Sequence, residues 1–201
     1  MVSKPDNARV RLIESAIRLI HAGSYGAVSV KDLCTDAGVG KGSFYHFFPS
    51  KRDLALAAMD EDWEQYRIGL YEPAFAPDVP PLERITRYFR LVAPWATGLA
   101  AQGMVIGCPF GNIGLEMATQ DEAIREKVQE VFGYITDFFE HTIQDACEAG
   151  EIGAVDTQAA AVRLLAYLEG LYVIAKVEND PQVFARFGGA AIELILADVT
   201  P

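Results

Sequence analysis

Cysteine is scarce in this chain. Cys34, Cys108 and Cys147 are the only three in 201 residues, too few and too scattered for a disulfide framework. They read as thiols of a reducing compartment, which points to the cytoplasm. Histidine is equally sparse, and His21, His46 and His141 stand far apart. No HExxH, CxxC, phosphate loop or GxSxG occurs. The expectation is therefore no catalytic residue, no cofactor and no metal. Asp137 and His141, four apart on one helix face, come nearest to a ligand pair. No further ligands accompany them, so a helical carboxylate–metal protein is only an alternative reading. The start, Met1 to Arg11, is polar and lacks the apolar core of a signal peptide. The longest uncharged stretch, Leu91 to Leu115, could span a bilayer by length. It holds Pro94, Pro109, five glycines, Gln102 and Asn112, so it reads as helix, flexible link and helix, with no membrane partner. Alternating strand patterns and internal repeats are missing too.

What is present is a large apolar supply, 51% of residues, enough to bury a sizeable core. Formal net charge is −11, which taken whole argues against nucleic acid. Its distribution argues the other way. Residues 1–59 carry eight basic groups (Lys4, Arg9, Arg11, Arg18, Lys31, Lys41, Lys51 and Arg52) against five acidic ones, a net +3, which leaves −14 for the remainder. A basic amino-terminal module on an acidic body follows.

Helical periodicity dominates. Val10, Ile13, Ala16, Ile17 and Ile20 form one apolar stripe, and Gly23 lies just past its end. Ser29 is placed to cap a short helix from Val30 to about Ala37, with Gly38 closing it. A second short helix runs from about Lys41 to Phe47 and is stopped by Pro49. Ser50 caps a long helix to about Leu70, and the prolines at 73, 77, 80 and 81 predict a loop between about Tyr71 and Pro81. Further helices are expected over about Leu82–Thr97, Pro109–Ala118, Asp121–Ala149, Thr157–Val177 and Pro181–Asp198. The fold class is all-α, with a three-helix helix-turn-helix domain at 1–55 and a larger helical domain at 56–201.

Two short helices joined by a tight glycine-containing turn are the helix-turn-helix geometry, in which the second helix enters the DNA major groove. Here that helix offers Lys41, Gly42, Ser43, Tyr45 and His46. Lys41 can reach a phosphate or a guanine edge, Tyr45 and His46 can reach phosphates, and Gly42 permits close approach. Ser29 and Lys51, at the starts of the flanking helices, complete the expected contact set; free N–H groups at a helix start favour phosphate. Leu33, Phe44 and Phe47 face a small core. The run VSVKDLCTDAGVGKGSFYHFFPSKRDL resembles the DNA-binding signature of the TetR family of transcriptional regulators. ARVRLIESAIRLIHAGSYGAVSV resembles that family's first helix. The resemblance covers roughly residues 8–58. It implies a homodimer that binds palindromic double-stranded DNA through the amino-terminal domains. It also implies a carboxy-terminal domain that takes a small-molecule effector and dimerises through its last two helices. Gly40 departs from the serine or threonine the family often has as the recognition-helix cap.

In the second domain, Pro109 favours a first helical turn, which places Cys108 at a helix amino end where the dipole lowers a thiol pKa. GCPFGN also resembles the carboxy-terminal domain of TetR regulators that respond to electrophiles or acrylate-like compounds. A sensor thiol at Cys108, or an activator on the same scaffold, is the alternative to a ligand-released repressor. Phe110, Asn112 and Glu116 are candidate pocket residues, the latter two one turn apart on a helix face. Leu164, Leu168, Leu171 and Ile174, with Phe187, Ala190, Ala191, Leu194 and Ile195, are expected to form the dimer stripe.

Overall fold

The computed structural model describes residues 8–97 and 104–196, and among these every regular element is helical. Helices α1 (Ala8–Ala22), α2 (Val30–Asp36) and α3 (Lys41–Phe47) form the amino-terminal unit, and α4 (Lys51–Tyr66) carries the chain out of it. Local chemistry accounts for each boundary. Ser29 and Asp32 make a reciprocal capping box at the start of α2. The turn into α3 needs Gly38 at φ +62°, a left-handed conformation that costs a side chain dearly. Ser50 accepts the Asp53 N–H at the start of α4. Leu12, Ala16, Leu33, Phe44 and Leu54 close a small core of their own. That core ends at Ala58, and the larger core begins at Met59, so the two share α4.

The expected loop after Leu70 is mostly helix. The chain passes through a π turn (Arg67–Tyr71) directly into α5 (Glu72–Phe75), and only the segment 76–80 connects to α6 (Pro81–Thr97). Two local features permit this. Gly69 has no Cβ, and the Trp95 indole occupies that space, 2.5 Å from where a Cβ would stand. Pro73 falls in the first turn of α5, where its missing N–H costs nothing.

Helices α7 (Pro109–Met117), α8 (Glu122–Glu148) and α9 (Thr157–Glu178) follow, capped by Cys108, Asp121 and Asp156. The single last helix expected from Pro181 is broken instead. It comprises α10 (Val183–Phe187), a 3₁₀ turn (Gly188–Ala190) and α11 (Ala191–Leu196). Glycine is a poor helix former, and Gly188 presses its backbone onto the fully buried Phe89, where a Cβ would collide. The expected dimer stripe divides as well. Leu164, Leu168 and Leu171 are core residues of the chain itself, whereas Ile174 is exposed. The apolar stripe that faces outward on α9 is Val162, Ala166, Gly170, Val173, Ile174 and Val177. Among the described residues no helix is long and apolar enough to cross a membrane.

Candidate DNA-binding and effector sites

The third helix presents one polar face. Lys41, Gly42, Ser43, Tyr45 and His46 are all exposed, while Phe44 is fully buried and anchors the helix to α2 and α4. Tyr45 leaves 57% of its surface in solvent, and its ring stands edge-on to Phe44 at 5.1 Å. None of these five residues makes a side-chain hydrogen bond or ion pair among the described residues, so their donors remain available to a ligand. Ser29 is exposed, but its hydroxyl serves Asp32, donating at 2.6 Å and accepting the Asp32 N–H at 3.2 Å.

Lys51 does something that its position at a helix start does not reveal. Its Nζ donates to the carbonyls of Tyr25 (2.8 Å) and Val28 (2.9 Å) and lies 4.0 Å from the centre of the Tyr25 ring. Burial draws its pKa below the ordinary lysine value, against the pull of Glu116. The ammonium therefore holds the loop between α1 and α2, and is not extended towards the DNA face.

Glu116 grips the same loop from the other side. Its carboxylate accepts the N–H groups of Gly26 (2.7 Å) and Tyr25 (2.9 Å), about ninety residues away in sequence. The expected pocket residue is thus a bridge between the two domains. A cavity of about 350 Å³ lies beside it, lined by Ile20, His21, Tyr25, Asn112, Glu116 and Lys176, among others. Asn112 joins this wall, donating to the Ile106 carbonyl (2.8 Å) and accepting from Lys176 Nζ (3.1 Å). Phe110 lies elsewhere, buried in the core against Trp63 and Tyr66. Near it, His21 of α1 meets Asp62 of α4 at 3.0 Å. Asp137 and His141 line a wider open groove of about 680 Å³ with Trp63, Phe75, Tyr134 and Phe138. Among the described residues no three potential metal ligands gather there or elsewhere.

Cys108 sits at the amino end of α7, as its sequence context suggests, and its sulfur accepts the Gly111 N–H at 3.3 Å. Burial overrides the helix end. The thiol is buried, and its pKa is pushed well above the ordinary value by desolvation and by the neighbouring Glu169 carboxylate. A reactive thiolate needs solvent access and a net positive surrounding, whereas Cys108 is buried and faces the Glu169 carboxyl. Timed iodoacetamide labelling with peptide mapping should therefore modify half-exposed Cys147 first and Cys108 slowest. Preferential labelling of Cys108 at neutral pH would restore the sensor reading.

Sequence reasoning missed the polar cluster beneath Cys108. Tyr71 and Tyr88 share a hydrogen bond between their hydroxyls (2.9 Å), and Tyr66 donates to the Trp95 carbonyl at 3.4 Å. Tyr172 on α9 is buried in the same core. All four tyrosines are buried, and desolvation holds their phenols above the ordinary value, hence neutral. Glu169, also on α9, completes the cluster. Burial raises its carboxyl to about 7, with hydrogen bonding from Cys108 opposing the shift. Four tyrosines scattered from 66 to 172 carry no common motif, which is why the sequence did not show them.

Comparison with known proteins follows the same division of the chain. The family model described as bacterial regulatory proteins of the tetR family matches residues 12–58. A second, described as a tetracyclin repressor-like carboxy-terminal domain, matches residues 81–191. Transcriptional regulator AcuR of Cereibacter sphaeroides is 30% identical over 90% of this chain and 81% of its own length. The HTH-type transcriptional repressor DhaR of a Mycobacterium species is 24% identical over 94% and 92%. A crystal structure of regulatory protein TetR from Rhodobacter sphaeroides superposes with a TM-score of 0.79. It is 30% identical and covers 92% of this chain and 98% of its own. With a helix-turn-helix whose second helix bares a polar face, and a helical second domain matched over most of its length, the chain belongs to the TetR family of DNA-binding transcriptional regulators.

Proposed function

We propose that this regulator is a homodimeric repressor, released from a palindromic operator in the cytoplasm by a small molecule bound in its second domain. The observation that carries the reading is the face of α3. Five residues able to meet phosphates and base edges stand exposed and uncommitted, on the basic end of an acidic chain. Acidic surface repels DNA everywhere else, which confines contact to that face. Lys41, Gly42, Ser43, Tyr45 and His46 are the proposed contacts, with Ser29 at the rim.

Two half-sites need two copies of α3. The outward stripe on α9 supports self-association, because Val173 and Val177 are 52% and 80% exposed and Ala166 and Gly170 allow close helix approach. Coupling between sites runs along α7. Its first residues touch the buried cluster, and Glu116 near its end holds the Tyr25–Gly26 backbone that leads into α2. An effector that shifts α7 moves the loop, hence the spacing of the recognition helices. Such couplings are typically about 1–3 kcal/mol.

The test combines sedimentation with footprinting. The wild-type chain is expected to be a dimer at micromolar concentration and to protect two half-sites about one helical turn apart, ~34 Å. Val173→Asp with Val177→Asp should yield a folded monomer without a footprint. A monomer that retains full operator affinity would overturn the dimer reading.

A further inference from the structure

We propose that the effector is an aromatic organic cation, bound in the open groove between α4 and α8 with its ring on Trp63 and Tyr134 and its charge beside Asp137. This rests on the reading of the second domain as an effector domain, and names where in that domain the ligand sits and its chemical class.

The groove has the size and lining of a ligand site. Its volume is about 680 Å³, within the range of small-molecule pockets. Its floor is aromatic. Trp63 of α4 and Tyr134 of α8 lie stacked, with ring centres 5.5 Å apart and planes 23° from parallel. Phe75 and Phe138 continue the floor with ring centres 5.4 Å apart. Tyr134 leaves 39% of its surface in solvent, apolar area that a flat ligand would cover. Ion pairs tie the walls together at both ends. Lys127 of α8 holds Asp60 of α4 at 2.8 Å, and Arg84 of α6 holds Asp145 of α8 at 2.6 Å.

Charge selects the occupant. The charged lining residues are Asp60, Glu64, Asp137 and Asp145 against Arg67 and Arg84, a net −2. Both arginines are committed. Arg67 donates to Glu64 (2.8 Å) and pairs with Glu72, and Arg84 serves Asp145 and the Val79 carbonyl (3.0 Å). Asp137 makes no hydrogen bond or ion pair among the described residues, and it stands exposed one turn from His141 on the same wall. An anion would have to displace a carboxylate from an arginine. A neutral ring would cover the floor and leave Asp137 unused. A cation meets an unspent carboxylate and electron-rich rings together, and both attract it.

The position is also one from which a ligand reaches the DNA-binding unit. Asp60, Trp63 and Glu64 lie on α4, the helix that both cores share. The opposite wall, α8, packs on α7 where Val128 meets Gly114. A ligand wedged between α4 and α8 therefore acts on the helix that leaves the amino-terminal unit. Through α8 it also acts on α7 and its Glu116 clamp.

Three flat probes separate the alternatives at pH 8: 1-methylquinolinium, a permanent cation, quinoline, which is uncharged there, and the anion 1-naphthoate. Each is titrated calorimetrically into the DNA-free protein. 1-Methylquinolinium is expected to bind at least tenfold tighter than quinoline, with no detectable 1-naphthoate binding. Asp137→Asn should weaken 1-methylquinolinium at least threefold and change quinoline less than twofold. Tyr134→Leu should weaken both. Glu148→Gln, on α8 but outside the groove, should change neither, which separates a seated cation from diffuse attraction to an acidic protein. Helix content by circular dichroism is the folding control for each variant. Absence of 1-methylquinolinium binding up to millimolar concentration, equal affinity for quinoline, preference for 1-naphthoate, or an Asp137→Asn variant with wild-type affinity would each overturn the proposal. Operator release is measured separately. Asp137-dependent binding without DNA release leaves the cation site standing and removes the effector reading. Release by a compound that binds Asp137→Asn and Tyr134→Leu as well as it binds wild type removes the cation site and leaves the effector reading intact.

Discussion

Replacing Lys41 and Tyr45 together with alanine is expected to lower operator affinity at least a hundredfold while leaving the fold unchanged. Both side chains are exposed and neither makes a hydrogen bond or ion pair among the described residues, so their removal opens no cavity and strands no partner. The anchor of the helix, fully buried Phe44, stays in place. DNA-facing side chains of this kind are worth roughly 1–3 kcal/mol each, and a dimer presents each of them twice. The salt dependence should fall in parallel. Every phosphate that a cationic side chain no longer neutralises lowers the slope of log affinity against log salt by about 0.9. Tyr45 is uncharged, so a double variant that loses one such contact, that of Lys41, in each half-site should show a slope smaller by about 2. Fluorescence anisotropy of labelled operator across a salt series reads both quantities. Unchanged slope and affinity would remove these residues from the interface. Lys51→Ala should behave differently. Its ammonium is spent on the Tyr25 and Val28 carbonyls, so its removal is expected to show first as reduced thermal stability.

The second large effect is a contribution of Glu169 to stability that becomes less favourable as pH rises through the acid and neutral range. The unfolded carboxyl titrates near 4.5 and the folded one near 7. Below 4.5 both states are protonated and the residue contributes no pH dependence. Between 4.5 and 7 the folded chain keeps a proton that the unfolded chain has released, so every unit of rising pH costs the fold up to about 1.4 kcal/mol. Above 7 both states are ionised and the accumulated cost levels off at about 3 kcal/mol. Glu169→Gln carries no such proton. The difference in unfolding free energy between wild type and variant, from urea titrations at matched protein concentration, should therefore move in the variant's favour from pH 4.5 to 7 and stay flat above. Other titrating groups cancel in that difference. A flat difference across the whole range would show that the carboxyl is solvated in the folded state, and the account of the buried cluster would fail with it.

Much of the architecture was legible from residues close together in the chain. The capping box at Ser29 and Asp32, the left-handed Gly38, Pro49 and the Ser50 cap act over three or four residues. They mark out α2, α3 and the start of α4 without help from the rest of the molecule. The polar face of α3 was equally visible, because on so short a helix the burial of Phe44 dictates which neighbours face outward. Asp121 and Asp156, as N-caps, likewise fixed the starts of α8 and α9 locally. Tertiary packing decided the rest. The helix continues past Leu70 because the Trp95 ring fills the space over Gly69, and the last helix breaks where Gly188 meets Phe89. The helix end at Cys108 was correctly placed, yet elements distant in sequence enclose the sulfur, and desolvation outweighs a dipole that acts over a single turn. Glu116 and Glu169 differ little in local sequence from any other helical glutamate. One became a clamp between domains and the other a buried carboxyl because partners about ninety residues away, in one case, and sixty, in the other, were folded against them. Caps, turns and amphipathic faces are set by neighbours along the chain. Burial and charge state are set by neighbours in space, which is why Glu116 and Glu169 took their places only in the folded chain.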